Sequence, residues 1–365
     1  MATLMHASHQ WATRPSDERF TSLDALFDKT HHIRDNSVGR VASTRRIEFV
    51  PDENDKTFKG LKVAVNGDVN DVNHWSFGQA AALAKAPAGF LRTLAAPIAC
   101  DALNYSMRFN RDAEEVGILT YEPETMVTAA TGPRYGRVWN SEIVGALRDK
   151  FGDGVTGDWK VPGEFGKDVP ITKDNTTLFA SDRDMFVFLA DEKNRVSVNN
   201  RRNGESGTLA RGFFIWNSEV GDKSLGAAFF LFDYACCNRI VWGAQDFKEI
   251  RIRHTVSAPD RWLEEITPVL TEYSNALAKP IEETIKAAQE KKLGDDLDAF
   301  MQKRFTGRMS TLIKAAHERE EDRPVETLWD VVTGLTAHAK SIQFQDERVE
   351  LEREAGKLLD LVAVK

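Results

Sequence analysis

The string Trp139-Asn140-Ser141-Glu142-Ile143 returns as Trp216-Asn217-Ser218-Glu219-Val220. Each copy closes a short apolar run, Tyr135-Gly136-Arg137-Val138 before the first and Gly212-Phe213-Phe214-Ile215 before the second. A repeated aromatic-Asn-Ser-Glu-aliphatic string restricts the fold, because it marks one strand-to-turn device used twice within a single core. Asn suits such a joint, since its side chain bonds nearby backbone and tolerates unusual dihedrals. The first copy leads into a helical pattern over 142–151, with Ile143, Val144, Leu147 and Phe151 on one face and Asn140-Ser141 as the expected cap. The second copy cannot do the same, because Gly221 and another strand-like run follow at once. The repeat is therefore of a strand end and turn, not of a domain.

Around this device the pattern divides the chain into three parts. Residues 1–56 read as a polar N-terminal arm with one short helix near Leu23, Leu26 and Phe27 and one strand near Arg45–Val50. Residues 57–258 read as an α+β core. Leu61–Val65 forms a strand, and Ser76 is the expected N-cap of the first of three short helices, the last running from Pro97 to Met107. Strands then follow at Val116–Tyr121, Arg137–Trp139, Thr177–Ala180, Met185–Leu189, Arg195–Asn199, Phe213–Trp216, Ala227–Tyr234, Ile240–Trp242 and Phe247–Val256. Residues 259–365 keep helical stripes, and Thr327-Leu328-Trp329-Asp330 fits a capping box. The expected class is α+β, a mixed or antiparallel sheet core with short helices and a helical C-terminal segment.

Composition excludes several classes. Hydrophobic residues make 42% and charged residues 28% of the 365, as in ordinary globular chains. No apolar run approaches a membrane span, and Met1-Ala2-Thr3-Leu4-Met5-His6 lacks a secretory pattern, so a cytoplasmic location is expected. Three cysteines make no disulfide framework, and neighbours Cys236 and Cys237 would point to opposite faces of a strand. Without Cys-x-x-Cys or His-x-x-x-His spacing, no metal and no cofactor are expected. Gly152-Asp153-Gly154-Val155-Thr156-Gly157 matches a dinucleotide fingerprint in letters, but it follows a helix and reads as a surface loop.

The net charge of −8 is uneven. The acidic excess lies in 259–365, while the sign reverses over 195–255. Alternation in Phe247–Val256 sets Glu249, Arg251, Arg253 and Thr255 on one face and Ile250, Ile252, His254 and Val256 on the other. Two arginines on one strand face can track phosphates. Arg201-Arg202-Asn203-Gly204 supplies a basic turn, with Arg211 close behind and Arg239 further on. Trp216 and Trp242 would offer stacking faces, and Asn217 an amide able to read bases or sugars. Against this groove stands a sheet face neutralised by the acidic helices. For Asn140 and Asn217 the alternative is a turn-forming role. Glu142 and Glu219 are formally a carboxylate pair for a hard cation, without a third acidic partner in sequence. His254, on the apolar face, reads as a hydrogen-bonded structural residue.

Several strings resemble a known family. Phe77-Gly78-Gln79 leading to Ala86-Pro87-Ala88-Gly89-Phe90-Leu91, then Tyr135-Gly136-Arg137-Val138-Trp139-Asn140, then Asn217-Ser218-Glu219-Val220-Gly221 with Leu225, resemble ordered motifs of the phage/plasmid-like proteins, a domain of unknown function. Tyr234-Ala235-Cys236-Cys237-Asn238, Ile252-Arg253-His254-Thr255 and Thr327-Leu328-Trp329-Asp330-Val331-Val332 continue the likeness. Tyr234 stands where that family has Arg, and Arg239 where it has Gly. The resemblance implies a mobile-element context and no settled activity.

The sequence thus points to a non-enzymatic mobile-element protein that binds single-stranded DNA or RNA in recombination or replication through Arg201, Arg202, Arg211, Trp216, Asn217, Arg239, Trp242, Arg251 and Arg253. The alternative is an assembly module that makes homo-oligomers through its acidic C-terminal helices. An enzyme with unrecognised chemistry is the third reading. No membrane partner is expected.

Overall fold

The computed structural model describes residues 14–109, 113–161, 171–174, 176–198, 207–233, 239–240, 242, 249–276, 278–342 and 345–363. The chain opens with strand β1 (Arg19–Phe20) and helix α1 (Leu23–Asp35), then β2 (Ser37–Ser43), β3 (Ile47–Pro51), β4 (Leu61–Val65) and β5 (Asp68–Val72). Helices α2 (His74–Leu83), α3 (Ala88–Leu91) and α4 (Ala96–Phe109) precede β6 (Glu115–Tyr121), β7 (Met126–Thr131) and helix α5 (Asn140–Phe151). Strands β8 (Trp159–Lys160), β9 (Leu178–Ala180), β10 (Met185–Asp191), β11 (Val196–Val198), β12 (Gly207–Asn217), β13 (Leu225–Asp233), β14 (Arg239–Ile240) and β15 (Ile250–Ile252) follow. The remainder is helical: α6 (Ala258–Arg261), a π turn at Trp262–Ile266, α7 (Thr267–Asn275), α8 (Lys279–Glu290), α9 (Leu297–Gln302), α10 (Gly307–Glu321), α11 (Leu328–Lys340) and α12 (Gln345–Leu359). The fold is α+β with a helical C-terminal segment.

The strands make two sheets. The larger runs β1-β9-β10-β12-β13-β14, with β8, β11 and β15 joined to β10, β12 and β13. Its pairs are antiparallel. The smaller runs β2-β6-β7-β5-β4-β3, antiparallel except where β5 meets β7.

Both faces of the larger sheet are covered, which is why β10 reads as a continuous apolar run and not as an alternation. On one face Val187, Leu189, Phe213, Ile215 and Phe229 pack with α1, α5 and α7. On the other, Phe186, Phe188, Phe214, Trp216 and Phe230 form an aromatic layer. Trp216 faces Gly226 across the β12–β13 ladder, and any Cβ at Gly226 would collide with the indole. The far end of this sheet packs Val196, Leu209, Leu231, Ile240 and Trp242 against α8, α11 and α12. Gly334 lets α10 and α11 approach closely, since an added Cβ would lie 2.7 Å from the Ile313 carbonyl. The capping box at Thr327 and Asp330 is formed as the sequence suggests.

The smaller sheet is covered on one face by α2, α3 and α4 through Phe77, Leu91, Cys100, Leu103 and Met107. The three short helices are a packing layer. Edge strand β3 is pinned by Asn104, whose side chain takes the Phe49 N–H and donates to the Phe49 carbonyl, each at 2.8 Å.

Several boundaries move. Residues 19–51, expected in a peripheral arm, supply β1 to one sheet and β2 and β3 to the other. Asn73, not Ser76, is the N-cap of α2, accepting from the Ser76 N–H at 2.8 Å. Residues 137–139 are an extended approach to α5 without a strand partner. Strands β2, β5 and β7 are additional to those expected from the sequence pattern. Among the described residues no helix is long and apolar enough to cross a membrane.

Candidate ligand-binding cleft

The two copies of the repeat meet where the two sheets adjoin. The Asn217 amide donates to the Asn140 side-chain oxygen and to the Val138 carbonyl, both at 2.8 Å. Asn217 is fully buried and Asn140 nearly so. The amides therefore join the two strand ends to each other, and the turn-forming alternative describes them better than base reading.

Helix α5 begins at Asn140, and its N-cap Trp139 supplies no side-chain acceptor. Glu219, from the second copy, fills that role: its Oε1 accepts the Asn140 N–H at 2.6 Å. A carboxylate suits a helix start, where free N–H groups and the helix dipole favour negative charge. The first-copy Glu142 lies outside, paired with Arg34 at 3.1 Å. The repeat is thus asymmetric: one copy opens the helix and the other caps it.

The turn after Glu219 is fastened to the smaller sheet. The Val220 carbonyl accepts from Trp75 Nε1 at 3.0 Å and Gln79 Nε2 at 2.6 Å, and Gln79 Oε1 accepts the Ala130 N–H at 2.8 Å. Arg137 donates to the Glu219 carbonyl at 2.8 Å and stacks over Tyr135 and Trp139. Tyr135 donates to the Ser218 carbonyl at 2.8 Å and stacks on His254, whose Nδ1 lies 3.0 Å from the Gly136 carbonyl. Burial lowers the His254 pKa, consistent with its structural role.

Beside this junction is a cleft of about 390 Å³ walled by both sheets and by α1. Leu119, Met126, Ala180 and Val220 give it apolar walls, while Asp17, Glu18, Glu124, Asp182 and Glu219 give it negative charge, opposed by Lys29. That volume falls within the range of small-molecule sites. Glu219 is 7% exposed. Burial, the largest influence, pushes its carboxyl up to about 7, against the Asn140 N–H and the charge of Arg137, which favour ionisation. Its Oε2 accepts no hydrogen bond among the described residues. Enclosure by the walls also raises Glu18 and, at the rim, Asp182, which accepts from Asn73 at 3.2 Å. Among the described residues no three His, Cys, Asp or Glu side chains are set to hold a metal ion.

Of the described residues expected to form a polynucleotide groove, Arg251 lies over the Trp216 ring, 5.9 Å from its centroid, while Arg211, Asn217 and Trp242 are buried in internal contacts. Arg211 is buried, donating to Asp191 at 3.0 and 3.1 Å, to the Ser274 carbonyl at 3.1 Å and to the Ala276 carbonyl, which ties β12 to the end of α7. Trp216 is buried in the aromatic layer, and Trp242 is buried with its Nε1 donating to Asp360 at 2.9 Å. Neither indole presents a free face. Asn217 is used internally, as above. Arg251 is paired with Glu249, which also holds Arg353 of α12 at 2.7 Å. Arg253 is exposed. Arg239 opens β14 opposite Phe232; its side chain, together with Arg201, Arg202, Cys236 and Cys237, lies outside the described residues. The alternation expected near Arg251 is present, with Glu249, Arg251, Arg253 and Thr255 exposed and Ile252 buried, whereas Arg211, Trp216 and Trp242 are buried in the sheet's packed faces.

The cleft residues were mostly missed. Asp17, Glu18, Lys29 and Asp182 come from separate segments with no motif in common. Glu219 alone carried a signal, as the second glutamate of the repeat. Compared with known proteins, the chain matches no family model, no curated sequence and no solved structure. Its resemblance to phage/plasmid-like proteins rests on the short motifs alone.

Proposed function

We propose that this protein binds a small organic cation, of the ammonium or guanidinium class, in the cleft between its sheets. The observation that carries this reading is the spare Oε2 of Glu219, on a side chain buried in a cleft with four further carboxylates. A carboxylate whose one unused oxygen opens into an acidic, enclosed cleft favours a proton or a cation there. The apolar walls suit the ligand's carbon skeleton, and Glu18 and Asp182 supply further acceptors. The same lining repels phosphate, so this cleft is no path for a polynucleotide.

Calorimetric titration with a series of alkylammonium and alkylguanidinium ions tests the reading. Saturable binding that is lost in Glu219→Gln supports it. Absence of binding by every member of the series at millimolar concentration, or equal binding by the Gln variant, overturns it. A labelled single-stranded oligonucleotide at low and high salt is the counter-probe: tight, salt-sensitive binding displaced by the organic cations would also overturn it.

A further inference from the structure

The acidic groups of the cleft stand at two places, and the larger sheet sets them apart. One row of residues crosses four of its strands at the end that meets the cleft. Arg19 of β1 faces Phe179 of β9, so Glu18, the residue before it, comes level with Ala180. Ala180 faces Met185 of β10, and Met185 faces Asn217 of β12. Glu18 and Asn217 therefore close the row at opposite ends, three strand spacings or about 14 Å of backbone apart. Glu219 follows two residues after Asn217. Its turn is tied to the β9–β10 turn, because Ser218 Oγ donates to the Arg183 carbonyl at 2.6 Å.

The two ends are also electrostatically distinct. Burial raises the Glu18 carboxyl, against the Arg14 cation, and the charges of Asp182, Asp184 and Asp17 raise it further. Arg14 lies 3.7 Å from Glu18 but is bound more closely to Asp184, so it meets Glu18 only loosely. On Glu219, after burial, the acid that weighs most is Glu142, which lies outside the cleft. Between the ends the lining is apolar: Ala180 stands in the row itself, and Leu119, Met126 and Val220 extend it.

We propose that the ligand of this cleft is a linear organic dication, two ammonium groups joined by an aliphatic chain, with one met by Glu219 and the other by Glu18 and Asp182. The proposal rests on the cation reading above and narrows it to one class of cation. Glu219 fixes the inner end, since it is 7% exposed and its Oε2 accepts no hydrogen bond among the described residues. Five carboxylates in the lining face the single lysine Lys29, so one ammonium at Glu219 leaves the Glu18 end without a counter-charge. A compact monocation cannot reach both ends of a row three strands wide. A methylene chain can, and it lays its carbons on the apolar strip between them.

Calorimetric titration at fixed ionic strength compares α,ω-diamines, from propane to decane, each with the n-alkylamine of the same length. Once the chain reaches both carboxylates, the diamine should bind about tenfold or more tighter than its monoamine. The shortest diamine, unable to span the ends, should show no such gain. Glu18→Gln with Asp182→Asn should bring the ratio of the two affinities back towards one. Asp182→Asn alone, at an exposed position and with an oxygen kept for Asn73, should lower the ratio in the same direction. Circular dichroism establishes that each variant is folded. Absence of binding by both series overturns this inference together with the cation reading beneath it. Monoamine binding with a ratio near one at every length leaves that reading standing and overturns the dication alone. A gain as large for propane as for decane, or one unchanged in the variants, overturns the two-ended site and the proposal with it.

Discussion

The side chain of Asn217 donates to that of Asn140 at 2.8 Å, so that the two copies of the repeated motif are joined through their corresponding residues. The bond lies in the interior, where an amide lacking its partner is costly. Replacing Asn217 by Ala removes both donations and strands the Asn140 oxygen and the Val138 carbonyl. We expect a loss of about 2 to 4 kcal/mol in urea unfolding, with a two-state transition retained. A change below about 0.5 kcal/mol would mean that the junction does not hold the strand ends together.

Glu219 sets a pH dependence of stability. Its carboxyl is raised from an ordinary value of 4.5 to about 7, so the folded chain holds this proton more tightly than the unfolded chain. Relative to Glu219→Gln, the wild type therefore loses stability as pH rises from about 4.5 to about 7 and is level beyond. The full difference is on the order of 3 kcal/mol. Paired unfolding curves at pH 5 and pH 8 measure it. A gap between wild type and variant that stays constant across that interval would contradict the assignment.

The same carboxyl links proton and ligand. If the cation binds only ionised Glu219, its affinity should fall by roughly tenfold between pH 8 and pH 6, with a proton released on binding near neutral pH. Titration in buffers of different ionisation enthalpy reads the proton directly. Affinity unchanged over this interval would place the ligand's charge against another group.

Arg211 should behave as a structural residue. Removing its side chain leaves Asp191 buried without its cation, and Arg211→Ala is expected to cost about 3 to 5 kcal/mol. Arg253→Ala, at an exposed position, should change stability by less than about 0.5 kcal/mol. Chemical denaturation of the two variants makes the comparison. Equal small effects would return Arg211 to the list of ligand contacts.

Asp330 accepts the N–H groups of Glu326 and Thr327 and an ion pair from Arg323, which hold its carboxyl below the usual range despite burial. Its contribution is therefore present above about pH 4 and lost as pH falls through the lowered folded value. Asp330→Ala should cost about 3 to 5 kcal/mol at pH 7 and flatten the acid limb of the stability profile.

The legible part of the fold followed from periodicity. The strands around β10 and β12, the α5 stripe of Ile143, Val144 and Leu147, and the Thr327 capping box could be read because local pattern and packing agree there. Strands β2 and β5 hid because their residues are polar or half exposed, with burial on one side only. Of the site, the repeat was visible but its use was not. The local contexts of Glu142 and Glu219 differ, a helical pattern after one and Gly221 after the other, but neither tells that Glu219 caps the helix begun by the other copy. That role is made by the long-range meeting of two segments.

Both margins of the smaller sheet, β2 and β3, are made from residues 37–51. A chain trimmed at residue 57 would leave β6 and β4 with unpaired backbone along their full lengths, bare templates for strand addition by neighbouring molecules. The first stretch of the polypeptide is in this sense the hem of the sheet, and preparations lacking it should precipitate where the whole protein stays dispersed.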